Sequence, residues 1–270
     1  MKTVNSISGG KTSSYLAVNY PADYNLFSLV SVEDRKLTPI DKKFVQIISD
    51  KIGKEFIGTV EKDQTLKCVL DLEQILGTEI KWLCGDSFEQ IIKKASGYLP
   101  NVMARFCTSE MKMKPIAEYC RNEIKEIVLM RLGIRYDEEN RVNYDNTDFK
   151  FNIGKSESGR NKWLTEKYRE LEYPLVDNKI EHYQIYQWSL KSGIDFPNDS
   201  NCVGCFHKHV QQLRKNWIDE PIKMQWFADQ EIGKKKFKKQ MSYNQIKTIG
   251  LQQDFIFGGG SSCNSGGCTD

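Results

Sequence analysis

The chain has 270 residues and carries 39 lysines and arginines against 36 aspartates and glutamates, a formal net charge of +3. This length predicts one large α/β domain, or one domain with a second subdomain. The near balance of charge gives no overall field that favours nucleic acid, and no apolar run approaches the roughly 20 residues of a membrane helix. Because the N-terminus has no signal-peptide pattern, a cytoplasmic protein is expected.

The first predicted elements are a strand at 3–7, a glycine-rich turn and a helix at 15–20. A helix N-terminus after such a turn binds anions, because its free N–H groups and dipole favour negative charge. Glycine also lets the backbone approach a phosphate closely. An ordinary capped turn is the alternative. The predicted phosphate-binding residues are Ser8, Gly9, Gly10, Lys11, Thr12 and Ser13.

Strands and helices then alternate along the chain. The apolar patterns predict strands at 25–32, 55–60 and 125–130, with 80–83 as a short strand or helix end. They predict helices at 41–51, 65–76 and 88–95. This alternation indicates parallel βαβ units, and so an α/β fold in which about five parallel strands lie between helices. Ligands of such sheets collect at the carboxyl ends of the strands.

A cysteine-containing segment follows at 105–115. Thr108 or Ser109 is predicted to cap a helix that runs to Arg121. Cys107 precedes this cap beside Arg105, a setting typical of metal ligands and reactive thiols. A buried structural cysteine is the alternative.

The strand at 125–130 leads into a segment rich in charge. Gly133 lets the backbone approach a ligand at the end of this strand, and Arg135 and Arg141 are predicted to clamp phosphate or sulfate. Glu138 would orient one of these arginines. A plain charged loop is the alternative.

The second half of the chain is predicted to be mostly helical after a flap or insertion at about 138–173. The flap contains a hairpin around 149–151 and the basic residues Lys155, Arg160 and Lys162. Helices are predicted at 180–191, 211–217 and 223–231, with Tyr183, Tyr186 and Trp188 in the core. The lysine run at 233–239 is expected to form a solvated helix face, with nucleic acid as a weaker alternative.

The chain has eight cysteines, and a reducing compartment argues against a disulfide framework. Three of them, Cys68, Cys84 and Cys120, lie among apolar residues and are predicted to be buried. Cys202 and Cys205 form a Cys-x-x-Cys pair that suits zinc or an iron–sulfur cluster with further ligands. The further candidates are Cys107, Cys263 and Cys268, with His207 and His209 as less favoured nitrogen donors.

Several motifs resemble those of the phosphoadenosine phosphosulfate (PAPS) reductase family, within the PP-loop adenine-nucleotide enzymes. Residues 8–13 resemble the PP-loop, with Thr12 where the ATP-using form has Asp. Similar elements follow at 107–115, 133–141, 173–177 and 201–205. The resemblance implies a PP-loop α/β domain at 1–178, a helical Cys-x-x-Cys subdomain at 179–257 and a Gly/Cys-rich tail at 258–270.

The resemblance implies an enzyme that binds PAPS, adenylyl sulfate or ATP. In the first alternative Cys263 or Cys268 attacks the sulfonucleotide with help from Arg135, Arg141 and Glu138, and a thioredoxin-like partner restores the thiols. In the second, ATP and magnesium activate a nucleic-acid or small-molecule acceptor for sulfur transfer. A nucleotide-binding protein without turnover is the third. Cys107, Cys202 and Cys205 are the expected ligands of a four-iron cluster or zinc, with Cys263 or Cys268 as a possible fourth ligand in place of a catalytic role; a cluster would favour redox chemistry or sulfur transfer, and zinc a structural role.

Overall fold

The computed structural model describes residues 1–156 and 159–251, and Cys263 and Cys268 lie outside these ranges. The strands in chain order are β1 Thr3–Ile7, β2 Tyr24–Ser28, β3 Ser31–Val32, β4 Gly58–Thr59, β5 Ile80–Leu83, β6 Val128–Arg131, β7 Asp148–Lys155, β8 Asn161–Lys167 and β9 Arg169–Glu172. Five of them form one parallel sheet in the order β5-β2-β1-β6-β9. The predicted α/β fold with about five parallel strands is therefore confirmed.

Helices cover this sheet and form most of the C-terminal part. They are α1 Lys11–Asn19, α2 Lys42–Ile52, α3 Asp63–Leu76, α4 Phe88–Lys94, α5 Phe106–Thr108, α6 Lys114–Tyr119, α7 Pro174–Asp177, α8 His182–Lys191, α9 Val210–Asp219, α10 Pro221–Gln230 and α11 Tyr243–Lys247. Local signals fix several ends. Asp41 caps α2, which ends at a left-handed Gly53, and Ser87 with Gln90 forms a capping box on α4.

The sheet is apolar on both faces, as a parallel sheet between helices requires. On one face, Leu26 and Met130 pack in one cluster with Ile116 of α6. On the other, Phe27 packs in a cluster with Leu66 of α3. Leu26 and Phe27 are consecutive residues of β2, and successive side chains of a strand point to opposite faces of the sheet.

The strand order fixes where a ligand is expected. From β1 the chain moves outward to β2 and β5, then returns to the other side of β1 at β6 and continues to β9. The direction of winding therefore reverses between β1 and β6, and in open α/β sheets ligands bind outside the carboxyl ends at such a switch point. Residues 8–10 follow β1 and Gly133 follows β6, so both predicted elements flank this crevice.

The predicted strand at 55–60 is wrong in its extent. Only Gly58–Thr59 is extended enough to pair, and it pairs antiparallel with β3 outside the main sheet. Phe56 and Val60 are buried, which explains the apolar pattern, but a Cβ on Gly58 would lie only 3.0 Å from the backbone of Leu37. The apolar pattern at 55–60 therefore reflects residues that are buried outside the main sheet, next to the segment around Leu37.

The predicted cap at Thr108 or Ser109 is also wrong. Helical backbone begins at Phe106 and continues through α5, two wider π-helical turns and α6 to residue 124. Thr108 and Ser109 have helical backbone angles and no capping side-chain bond. Cys107 therefore lies in the first turn of the helix instead of preceding it.

Two predictions in the C-terminal half also need correction. Tyr183 and Tyr186 are 69% and 40% exposed, because α8 buries the side chains of Ile185 and Ser189 instead. The lysine run is not helical. Lys238 in this run is not a solvated residue, since its Nζ donates to the carbonyls of Phe206 and Lys208 at 2.7 and 2.9 Å.

The helices α9, α10 and α11 share a core with the first part of the chain. Met224, Phe227 and Tyr243 lie in one buried cluster with Val30 and Phe88. Lys223 adds a polar link, because its Nζ donates to Glu61 O and Asp63 Oδ1 at 2.7 Å each. Among the described helices, none has the length and apolar character needed to cross a bilayer.

Candidate functional site

The loop between β1 and α1 is held in shape by its own serines. The Ser8 N–H donates to Ser13 Oγ at 3.1 Å, and the two serine hydroxyls lie 3.0 Å apart. Ser13 Oγ in turn donates to Gly10 O at 3.1 Å, and Ser13 is buried. The Ser13 side chain therefore shapes this loop, residues 8–13, which we call the phosphate-binding loop after its predicted role. The N–H groups at the N-terminus of α1 are the donors that the prediction assigns to the anion.

The two glycines of this loop are in close contact with other segments. Gly9 has a positive φ of 71°, and a Cβ there would lie 2.6 Å from Thr65 Cγ2 and 2.9 Å from Thr65 O. A Cβ on Gly10 would lie 2.7 Å from Ser200 Oγ. The loop is thus packed between the start of α3 and the segment that leads to Cys202.

The charged segment after β6 forms a compact cluster of arginines and carboxylates. Arg135 donates to Asp137 from Nε at 3.0 Å and from Nη2 at 3.2 Å. Glu138 Oε1 lies 3.2 Å from Arg135 Nη2 and accepts from Arg141 Nη1 at 2.9 Å. Glu138 therefore positions both arginines, where the sequence predicted one.

This cluster reaches the phosphate-binding loop. Arg135 Nη1 donates to Thr12 Oγ1 at 3.5 Å, and a Cβ on Gly133 would lie 3.4 Å from Ser13 N. Burial pulls the pKa of Asp137 upward, but the hydrogen bonds and charge of Arg135 outweigh it and hold that pKa below its usual value. A fixed positive group therefore faces the N-terminus of α1 across the switch point.

Lys11 has a different position from that of its neighbours. Its Nζ lies 5.3 Å from the centre of the Tyr186 ring on α8. This cation–π contact explains why Tyr186 is only partly exposed and ties α8 to the loop. The described structure thus brings Gly133, Arg135 and Thr12 together and directs Lys11 toward α8.

A cavity of about 40 Å³ brings three of the predicted cysteines together. Cys107, Cys202 and Cys205 all line it, although almost a hundred residues separate the first from the other two. Tyr243 lies close behind them. Burial, and then the neighbouring Cys205, raise the pKa of Tyr243 well above its usual value. We call this the cysteine cavity.

Backbone contacts hold the Cys-x-x-Cys loop in place at this cavity. Asn216 Nδ2 donates to Val203 O and Tyr243 Oη donates to Gly204 O, both at 2.7 Å. A Cβ on Gly204 would lie 2.3 Å from the Phe227 ring, so only glycine fits between the cysteines. Before the loop, buried Asp199 is ion-paired with Lys208 at 2.6 Å.

Lys112 joins the cysteine cavity to the phosphate-binding loop, and sequence reasoning missed it. Its side chain lines the cysteine cavity and also a second cavity that begins at Ser6 and Ser8. Its Nζ lies 3.6 Å from Oε1 of the fully buried Glu61. Burial raises the pKa of Glu61, and the charge of Lys112 opposes that shift. The lysines after Cys107 were the available signal, but nothing in them pointed to Glu61.

The histidines near the pair have other roles. His209 Nδ1 accepts from Gln211 N at 3.3 Å and so caps α9. His207 packs on Phe206 with ring centres 4.5 Å apart, and burial with the charges of Arg105 and Lys238 lowers its pKa. Of the cysteines predicted to be core residues, Cys68 and Cys120 are buried and Cys84 is half-buried.

The cysteine cavity does not by itself form a metal centre. Within residues 1–156 and 159–251, no group of three His, Cys, Asp or Glu side chains is placed to hold a metal ion. A tetrahedral thiolate site needs four ligands at about 2.3 Å from zinc. The predicted fourth ligand, Cys263 or Cys268, lies outside the described residues.

Comparison with protein-family models, with curated proteins and with solved structures gives no match to this chain. The class that the fold defines is an α/β protein with a Rossmann-like parallel sheet. The resemblance to the PAPS reductase family therefore remains an interpretation of the sequence motifs.

Proposed function

We propose that this protein binds an adenine sulfonucleotide, PAPS or adenylyl sulfate, and reduces it to sulfite with its own thiols. The observation that carries the proposal is the position of Cys107, Cys202 and Cys205 around one cavity whose lining includes Lys112. Ser200, two residues before Cys202, packs against Gly10 of the phosphate-binding loop. The segment that carries two of the thiols therefore contacts the loop that is proposed to bind the anion.

The nucleotide phosphates would lie at the N-terminus of α1, opposite Arg135 and Arg141. A tail thiolate, Cys263 or Cys268, attacks the sulfur, so that a sulfur–sulfur bond forms and the bond from sulfur to the phosphate oxygen breaks. The nucleotide leaves with that oxygen. Arg135 and Arg141 stabilise the charge on the leaving phosphate.

A second thiolate then attacks the sulfur of the first cysteine and releases sulfite. The two cysteine thiols become a disulfide, which accounts for the two electrons gained by the substrate. An external dithiol, such as a thioredoxin-like protein, returns the pair to the reduced state.

Alternatively, Cys107, Cys202 and Cys205 hold zinc or an iron–sulfur cluster with one tail cysteine as the fourth ligand, and that tail cysteine then takes no part in the attack or in the disulfide. Such a group would fix the tail near the nucleotide. Measurement of iron, zinc and acid-labile sulfide in protein purified without oxygen tests this point, and Cys202→Ser should lower the metal content. If the parent protein contained no metal, the three cysteines would have only the role of thiols.

The reductase proposal predicts that the full chain releases sulfite from PAPS or adenylyl sulfate in the presence of reduced thioredoxin. Cys263→Ser and Cys268→Ser should lower the rate by at least about two orders of magnitude, because a hydroxyl is a far weaker nucleophile than a thiolate. Cys84→Ser is the matched control, since half-buried Cys84 lines neither cavity. If Cys263→Ser and Cys268→Ser released sulfite at the same rate as Cys84→Ser, the proposal would be contradicted.

A second candidate function is ATP-dependent sulfur transfer to a nucleic acid, favoured by the hairpin β7–β8. Phe149 and Phe151 anchor the hairpin in the core, while Lys150, Lys155, Arg160 and Lys162 are exposed. Trp163 is 49% exposed, with Lys150 Nζ 5.9 Å from its ring centre. An exposed aromatic ring among basic residues suits a single-stranded nucleic acid.

This candidate predicts that Trp163→Ala weakens the binding of single-stranded RNA or DNA by about fivefold or more, since stacking on one base contributes roughly 1–3 kcal/mol. Tyr183→Ala, at another exposed aromatic residue, is the control. The same oligonucleotide should also stimulate release of pyrophosphate from ATP and magnesium. Equal binding by the two variants, or no pyrophosphate, would exclude this function.

A further inference from the structure

A buried arginine without a carboxylate partner lies at the start of β9. Arg169, the first residue of β9, is only 2% exposed. Its Nε donates to Asn146 O at 2.9 Å and its Nη1 lies 3.3 Å from Met130 Sδ. Among the described residues, its Nη2 has no hydrogen-bond partner, and the hydrogen bonds of its other nitrogens go to a carbonyl and a thioether rather than to a carboxylate. A buried guanidinium normally has such a partner.

The neighbouring groups do not supply the missing negative charge. Tyr168 lies with its ring 5.1 Å from the guanidinium, and its hydroxyl is buried with no partner among the described residues. Burial raises the pKa of Tyr168 and that of nearby Cys120 to about 12 each, so both are uncharged near neutral pH. Arg169 is therefore a buried net positive charge.

Arg169 and Tyr168 both line the cavity that begins at the phosphate-binding loop. Apolar side chains form about half of the lining, and the other polar residues that line the cavity are Ser6, Ser8, Ser28 and Lys112. Its volume is about 40 Å³. At 10–15 Å³ for each water, this is room for about three waters, comparable with one tetrahedral oxyanion.

We propose that this cavity is a binding site for a small oxyanion of the sulfate or phosphate type, held by Arg169 and the Tyr168 hydroxyl at one end and Lys112 at the other. Arg169 Nη2 and Tyr168 Oη are donors without a partner among the described residues, and an oxyanion accepts from both. The negative charge offsets the buried guanidinium. The anion is either free in solution or an anionic group of a nucleotide bound at the neighbouring loop.

The first test measures radiolabelled sulfate binding by equilibrium dialysis and the melting temperature of the full chain, with chloride at equal ionic strength as reference. Parent protein and Arg35→Met, a control at an exposed arginine, should bind sulfate saturably and melt at a higher temperature with it. Arg169→Met should weaken sulfate binding by about tenfold or more, since hydrogen bonds to a charged group contribute roughly 1.5–3 kcal/mol. Without sulfate, it should melt no lower than the parent, because the buried charge is gone.

Tyr168→Phe keeps the charge and the ring, and it should weaken sulfate binding by about threefold or more through loss of one donor. This variant also tests the proposal if Arg169→Met does not fold. Competition between adenylyl sulfate and sulfate assigns the cavity to the nucleotide's own anionic group, whereas simultaneous binding assigns it to a free oxyanion. Sulfate binding that is absent in the parent, or unchanged in both variants, would overturn the proposal. None of these measurements depends on turnover.

Discussion

Replacing Gly9 with alanine is expected to destabilise the protein by about 3 kcal/mol and to abolish nucleotide binding. The left-handed backbone of Gly9 costs an L-residue roughly 1–2 kcal/mol, and overpacking adds roughly 1–3 kcal/mol. The overlap is severe because Thr65 O, a backbone atom, lies 2.9 Å from the new Cβ. To relieve it, the loop must move away from α3, which displaces the N–H groups at the start of α1.

Gly53→Ala is the matched control for this substitution. Gly53 has nearly the same positive φ, 66°, but a Cβ there would meet nothing within 4 Å. The Gly53→Ala variant should therefore lose only about 1 kcal/mol of unfolding free energy, the cost of the backbone conformation alone, and keep its nucleotide affinity. Urea unfolding and calorimetric titration with adenylyl sulfate measure both quantities. If Gly9→Ala were as mild as Gly53→Ala in both, the loop would not depend on the contact with Thr65.

Four of the five strands of the central sheet could be predicted from the sequence because their signals are local, whereas β9 was missed, since it lies within the segment at about 138–173 that was predicted to be a flap or insertion. Buried strands such as 125–130 read as continuous apolar runs, and glycines with helical patterns separate them. The loop at 8–13 and Gly133 were found in the same way, since each follows a strand directly. Parallel strands bring their carboxyl ends to one edge, and the pairing of β6 with β1 then places these two elements side by side.

The sequence could not predict the rest of the site because its contacts join distant segments. Glu61 meets Lys112, and Ser200 meets Gly10, across long stretches of chain. No sequence pattern marks Arg169 as buried, because its neighbours in the core come from α6 and the base of the hairpin. The mistaken strand at 55–60 has the same origin, because an apolar pattern reports burial but not the partner that causes it.

Glu138→Gln is expected to lower the free energy of unfolding by about 3 kcal/mol, because two largely buried guanidinium groups lose the carboxylate they share, although Asp137 still pairs with Arg135. The Arg135, Glu138 and Arg141 side chains are 10%, 12% and 14% exposed, so solvent screens the loss only weakly. Glu139→Gln is the control, since it removes an exposed carboxylate from the same short segment. Urea unfolding of both variants at neutral pH gives the comparison.

The substitution also predicts a response to anions. If Arg135 and Arg141 face the position of a nucleotide phosphate, an anion placed there can replace the charge that Glu138 supplied. Sulfate should therefore raise the melting temperature of Glu138→Gln more than that of Glu139→Gln, with chloride at equal ionic strength as reference. Sulfate bound at Arg169 stabilises both variants alike, so only the difference reports on the arginine pair. Equal stabilisation of the two variants would mean that Arg135 and Arg141 do not form an anion site, and their role would then be to hold the segment after β6 against the phosphate-binding loop.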